Sequence, residues 1–311
     1  MEGIFHPHGY ERRIALPPNQ RFVHYTNAAA ALSVIQSRSL WMRNATVMND
    51  FRELDHGLAM VNLALAEGSP RYDRLNKIAD DCHPDAFHNA IKDFNTRWPL
   101  LRNNTFIASI SEHREDENDH GRLSMWRAYG QNSAKVALVL RMPPPFSAMG
   151  LRVQALPVCY WSQEQLESEI DTAIGNIEKN AEYLKNLKDF EFIWRLTFLF
   201  ISYVVSLKHV GFSEEAEWRL IYLPTILSSK YVPLEIESPG GIPQLVAKIQ
   251  LANAPDDDVT EISIGEILAR IIIGPSTFPV VLDGALRSAL VSAGVDSNRI
   301  PIVASMIPLR T

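Results

Sequence analysis

The sequence predicts an α+β fold, a mixed and mainly antiparallel sheet carrying one helical insertion over residues 163–210. Three observations predict it. Stretches with period-two alternation, such as 105–111 and 215–222, are interspersed with helical stretches but lack the regular strand–helix alternation of a doubly wound sheet. Residues 162–188 and 190–209 read as two successive helices, the first polar and the second strongly apolar. No internal repeat, low-complexity segment or Gly/Ser linker marks a boundary, so residues 1–311 read as a single domain around that insertion.

Composition narrows the class. With 46% hydrophobic and 21% charged residues, the chain is that of an ordinary soluble globular protein. A net charge of -6 and the lack of a basic patch argue against non-specific nucleic-acid binding. Cys82 and Cys159 are too few for a disulfide framework and too far apart for a zinc site, which fits a reducing cytoplasm. The N-terminus has no apolar core of signal-peptide length. The longest apolar run, 196–207, falls short of the ~20 residues a membrane-spanning helix needs, so no membrane partner is expected.

In chain order, a loop with Pro17 and Pro18 leads into a strand over 21–26, and Asn27 caps an alanine-rich helix to about Arg38. A short strand over 40–42 follows, then a helix to about Leu65 with Asn49 and Asp50 as its capping side chains. Residues 70–100 read as helical, broken at Pro84. The strand over 105–111 puts Ser109 and Ser111 on one face, and the charged stretch 112–122 reads as a solvated loop. Its His113, Asp116, Asp119 and His120 match no regular ligand spacing, so a metal site there, and with it a metal-dependent hydrolase, is the weakest of the functional readings. A helix over 123–130 ends at Gly130 and carries Trp126 and Tyr129 on one face; strands follow at 135–141 and 153–161. After the helical insertion come strands at 231–236 and 245–251, a helix-like 264–268, a strand at 271–275, a helix starting at Pro279 and a last strand at 300–305.

The most informative stretch is Phe212-Ser-Glu-Glu-Ala-Glu-Trp-Arg-Leu-Ile-Tyr222. Period two places Glu215, Glu217 and Arg219 on one strand face and Ala216, Trp218 and Leu220 on the other. Lining a cleft, two carboxylates with a nearby guanidinium would suit a cationic, sugar-like centre; on a surface they would be a solvated strand with an ion pair.

Five motifs in order, Asn49-Asp50-x-x-Glu53, Phe106-x-x-Ser109-x-Ser111, Met125-Trp126-x-x-Tyr129, Phe212-x-x-Glu215-x-Glu217-Trp218-Arg219 and Ile273-Gly274-Pro275, resemble the domain of unknown function 2971 family of bacteria and their viruses. Phe51 stands where that family often has proline. More distantly, His24-Tyr25-Thr26 ending a strand before a helix, then the Ser109-Ile-Ser111 strand and the Glu215-Ala-Glu217 strand, are similar to the order found in ADP-ribosyltransferase domains. That resemblance implies sheets around a cleft, NAD as substrate, no metal, and an unknown macromolecular acceptor, in a toxin or antiviral setting. It implies Glu217 as the catalytic carboxylate and Glu215 as the group orienting the acceptor. His24, with Thr26, would lie on an NAD ribose, and Trp126 or Tyr129 would stack on nicotinamide, while Ser109 and Ser111 fit the middle strand and Arg219 offsets the carboxylates. A non-catalytic nucleotide- or protein-binding sensor using the same cleft is the alternative.

Overall fold

The structure of the protein, a computed structural model, describes residues 1–47, 53–129, 134–142 and 148–308. The Asn49–Asp50 cap and the Gly130 helix end expected from the sequence lie outside the described residues. Two units emerge, Met1–Leu16 with Ala45–Thr105 and Leu156–Ser213, and Pro17–Asn44 with Phe106–Ala155 and Glu214–Thr311.

The first unit is helical. The apolar helix Asp189–Ser206 buries Leu196, Leu199, Phe200, Ile201, Val204 and Val205, which wrap most of its circumference and so place it at the centre of the unit. The polar helix Gln163–Lys179 instead buries one stripe, Leu166, Ile170, Ala173, Ile174 and Ile177, at spacings of three and four. Ser162 and Gln165 form its capping box. Pro84 separates helices Pro70–Cys82 and Ala86–Asn104, as its missing donor dictates. The sequence reading assigns no element before residue 17, yet Glu2–Phe5 and Pro7–Ile14 are helices. Pro7 occupies the first turn, where no amide partner is needed, and Phe5 packs edge-on to Phe192 at 6.1 Å, so tertiary contact supplies what local pattern does not.

Ten strands are described: β1 Arg21–Asn27, β2 Ser39–Asn44, β3 Phe106–His113, β4 Lys135–Arg141, β5 Gln154–Pro157, β6 Glu217–Tyr222, β7 Leu234–Glu237, β8 Gln244–Gln250, β9 Leu268–Ile273 and β10 Ile302–Ala304. In the second unit the order is β10-β9-β4-β1-β3-β2-β8-β7, with β6 also paired to β3. The β9–β10 pair is parallel and β1, β2, β3, β4, β6 and β8 pair antiparallel, so the predicted α+β class with a mixed, mostly antiparallel sheet is what forms. Asn27 accepts from the Ala30 amide at 2.8 Å and starts helix Ala28–Ser37, which ends at Arg38 in the left-handed region.

β3 is the pivot of this unit. One of its edges is taken by β6 along Phe106–Ser111. The other is divided: β1 pairs with Ser111–His113 and β2 pairs with Phe106 and Ile107. Among the described residues no strand pairs with the middle of β3 on that edge, between those two pairings, and its carbonyls there need another donor.

Candidate active site

The donor is His24. Its Nδ1 lies 2.9 Å from the Ser109 carbonyl oxygen, and because a carbonyl only accepts, Nδ1 carries the hydrogen. Burial holds the imidazole below its ordinary pKa, outweighing the upward pull of that hydrogen bond. The ring is therefore neutral near pH 7, and its Nε2 is an acceptor. Thr26 lies two residues on in β1, opposite Val136.

The β3–β6 register sets Ser109 opposite Arg219 and Ser111 opposite Glu217, so all four side chains lie on one face of the sheet. The Ser109 hydroxyl donates to Glu217 Oε1 at 2.5 Å, and Arg219 Nε donates to the same oxygen at 3.1 Å. Glu217 is 4% exposed and Arg219 2%. A carboxylate this deep keeps its charge only when paired and hydrogen-bonded, and both partners are present. The solvated-strand reading is thereby overturned.

Glu215 leaves that face. The strand begins at Glu217, after a short helical turn Val210–Glu215, and Ala216 at φ 44 swings the chain between them. The period-two pattern predicts Glu215 beside Glu217 because the left-handed residue that breaks the alternation is an alanine, which carries no turn signal in sequence.

Trp126 is fully buried in the core under β1, edge-on to Tyr25 at 4.9 Å, and its Nε1 donates to the His120 carbonyl at 2.7 Å. A side chain on Gly274 would meet its ring at 3.0 Å, and one on Gly121, at φ 68, would meet it at 2.6 Å. The Ile273-Gly274-Pro275 and Met125-Trp126 motifs are thus two sides of one packing contact. Tyr129, capping helix Leu123–Ala128, is half-buried against the same cluster and keeps exposed surface.

Residues 125–220 match the family model described as Protein of unknown function (DUF2971). The family resemblance read from the motifs holds over that segment. It contains Trp126, Tyr129, Glu215, Glu217 and Arg219, while His24 and Ser109 lie outside the DUF2971 match. No curated protein and no solved structure matches the chain.

Just ahead of the DUF2971 segment, the charged stretch 112–122 is solvated only in part: Arg114, Glu115, Asp116, Asp119 and His120 are exposed, but His113 and Glu117 are buried. Glu117 is 1% exposed, and Arg122 closes on its carboxylate, Nε donating to Oε1 at 2.9 Å. Arg122 also donates to three backbone carbonyls, those of Glu112, Glu214 and Glu215. Its own amide donates to the Tyr25 hydroxyl at 2.8 Å, and burial raises that phenol's pKa to about 12, keeping it neutral. Glu117 and Arg122 carry no sequence signal, because charges five apart in a polar stretch show no periodicity, and Tyr25 reads as an ordinary strand residue. Among the described residues no group of three His, Cys, Asp or Glu side chains is placed to hold a metal, and His113 bonds Asn118 instead. Among those residues, too, no helix is long and apolar enough to cross a membrane.

Proposed function

We propose that the protein cleaves NAD between nicotinamide and ribose and transfers the ADP-ribosyl group to a macromolecular acceptor, with Glu217 as the catalytic carboxylate. The observation that carries this reading is that the Ser109 hydroxyl and Arg219 Nε both hold Glu217 Oε1, while His24 on β1 is anchored to the Ser109 backbone carbonyl. In the proposed step the bond from ribose C1′ to the nicotinamide nitrogen breaks with its electron pair going to nicotinamide, whose ring becomes neutral. A cation develops on the ribose, and a fixed carboxylate beside it stabilises the transition state without reorganisation. An acceptor nucleophile then bonds to C1′ and its proton is released. Neutral His24, with Nε2 as acceptor, suits a ribose hydroxyl; half-buried Tyr129 suits nicotinamide better than sealed Trp126. Glu215, off the strand but next to the Ala216 turn, suits the acceptor.

The test is nicotinamide release from NAD by wild type and by Glu217→Gln. Turnover should fall roughly 10²-fold or more in the variant with NAD affinity largely kept. Equal rates would remove Glu217 from the chemistry.

The deep burial of Glu217 and Arg219 favours one second reading, a non-catalytic sensor in which the pair is architectural. That reading expects saturable nucleotide binding by calorimetry and no nicotinamide release by wild type.

A further inference from the structure

Arg122 belongs to the loop ahead of helix Leu123–Ala128, and nothing in the proposed chemistry uses it. Its contacts are nevertheless directed at both halves of the site. Nη1 donates to the Glu214 and Glu215 carbonyls at 2.7 and 2.9 Å, Nη2 donates to the Glu112 carbonyl at 2.9 Å, and the remaining donors engage Glu117. All the donors of a planar guanidinium are thus committed, a geometry that lysine cannot reproduce. The two carbonyls from Glu214 and Glu215 immediately precede Ala216, whose φ of 44 is a conformation an alanine adopts only when its surroundings impose it. On its far side the Ala216 carbonyl accepts from the Glu112 amide at 2.9 Å, and Glu217 follows. At the other end the Arg122 amide is tied to Tyr25, the neighbour of His24 in β1.

We infer that Arg122 is a positioning residue: by clamping the 214–216 turn from the loop that also holds β1, it fixes where the Glu217 carboxylate stands relative to Ser109 and His24. The buried Glu117 carboxylate holds the guanidinium in place. The stretch 112–122, which resembles a poor metal site in sequence, acts as the brace of the candidate site. The consequence for NAD turnover rests on the reading above; the placement of Glu217 does not.

Two measurements separate the two. The first uses ¹³C-carboxyl-labelled glutamate and follows the Glu217 resonance, assigned by its loss in Glu217→Gln, through a pH titration. Arg122→Lys and Ala216→Gly should each displace that resonance and its titration midpoint from wild type, whereas Arg74→Lys, in the helical unit, should not. The second is NAD turnover, where Arg122→Lys should lower kcat about tenfold or more with KM within about twofold, because an interaction that orders the reacting group acts on kcat. Absence of nicotinamide release from wild type would overturn the NAD reading and leave the first measurement standing. A Glu217 titration in folded Arg122→Lys that superimposes on wild type would overturn the positioning role. Should that variant fail to fold, Ala216→Gly, which relaxes the same turn from inside, decides it in the same way.

Discussion

Glu217–Arg219 and Glu178–Arg74 are both carboxylate–guanidinium pairs, one in each unit, and their surroundings are opposite. The first has side-chain exposures of 3% and 2% and shares its carboxylate with Ser109. The second joins two helices in a close bidentate contact, 2.7 and 2.6 Å, yet its side chains are 37% and 44% exposed. By distance alone the exposed pair would rank as the stronger. Desolvation reverses the ranking of consequence: water competes for the second pair and salt screens it, while the first has exchanged water for its partners and tolerates the loss of neither. A buried charge pair is thus a constraint on the fold and a candidate for function, and a surface pair is mostly neither.

The largest expected effect follows from breaking the buried pair on one side. Arg219→Met should cost on the order of 3–5 kcal/mol in urea unfolding, because it strips the guanidinium from a carboxylate that stays buried. Replacing both partners, Glu217→Gln with Arg219→Met, should recover a large part of that loss. A single variant as stable as wild type would mean that Glu217 is not held as an ionised group.

A second charge-burial effect lies in the helical unit. His6, bonded to the Ser202 hydroxyl at 3.0 Å, is held at a pKa of about 4 by burial and, secondarily, by Arg195. The unfolded chain, with an ordinary histidine near 6.5, binds more protons between those values. Stability should therefore be fully present above pH ~6.5 and decline as pH falls towards about 4, by on the order of 3 kcal/mol. His6→Asn should flatten that part of the profile, and parallel profiles for variant and wild type would exclude His6 as the cause.

Much of this architecture is legible in the sequence, and the misses have physical causes. Strand β4, the Pro84 break, the Asn27 cap and the two insertion helices follow from hydrophobic period, proline and capping chemistry, all local signals. The alignment of Ser109, Glu217 and Arg219 follows from period two once β3 and β6 are neighbours, a pairing that local pattern does not reveal. Glu215 departs from its predicted face because the left-handed turn falls on Ala216, and the depth of Glu217 is a tertiary property that no local pattern carries. The Arg122 brace joins residues 93 apart in sequence, Arg122 and Glu215, and no window of sequence contains both.

Relaxing the turn itself is a smaller perturbation. Ala216 at φ 44 stores strain that glycine does not feel, so Ala216→Gly should stabilise the fold by up to ~1 kcal/mol, offset in part by the greater entropy of glycine in the unfolded chain. A clear loss of stability on thermal unfolding would indicate that the alanine methyl packs more than its backbone strains.

The smallest effect, and the sharpest control on the comparison, belongs to Arg74. Arg74→Ala removes both short contacts to Glu178 and should still change stability by less than ~1 kcal/mol, since exposed partners are rehydrated when separated. Salt makes the contrast quantitative. At 0.1 M the screening length is ~10 Å and some of the surface attraction survives; at 1 M it is ~3 Å and the difference between wild type and Arg74→Ala should shrink further. The Arg219→Met penalty should hardly move over the same range, because ions cannot enter the site where the charge is left. If the two penalties instead fall together as salt rises, Glu217 is reached by solvent ions, and its burial is not what separates the two pairs.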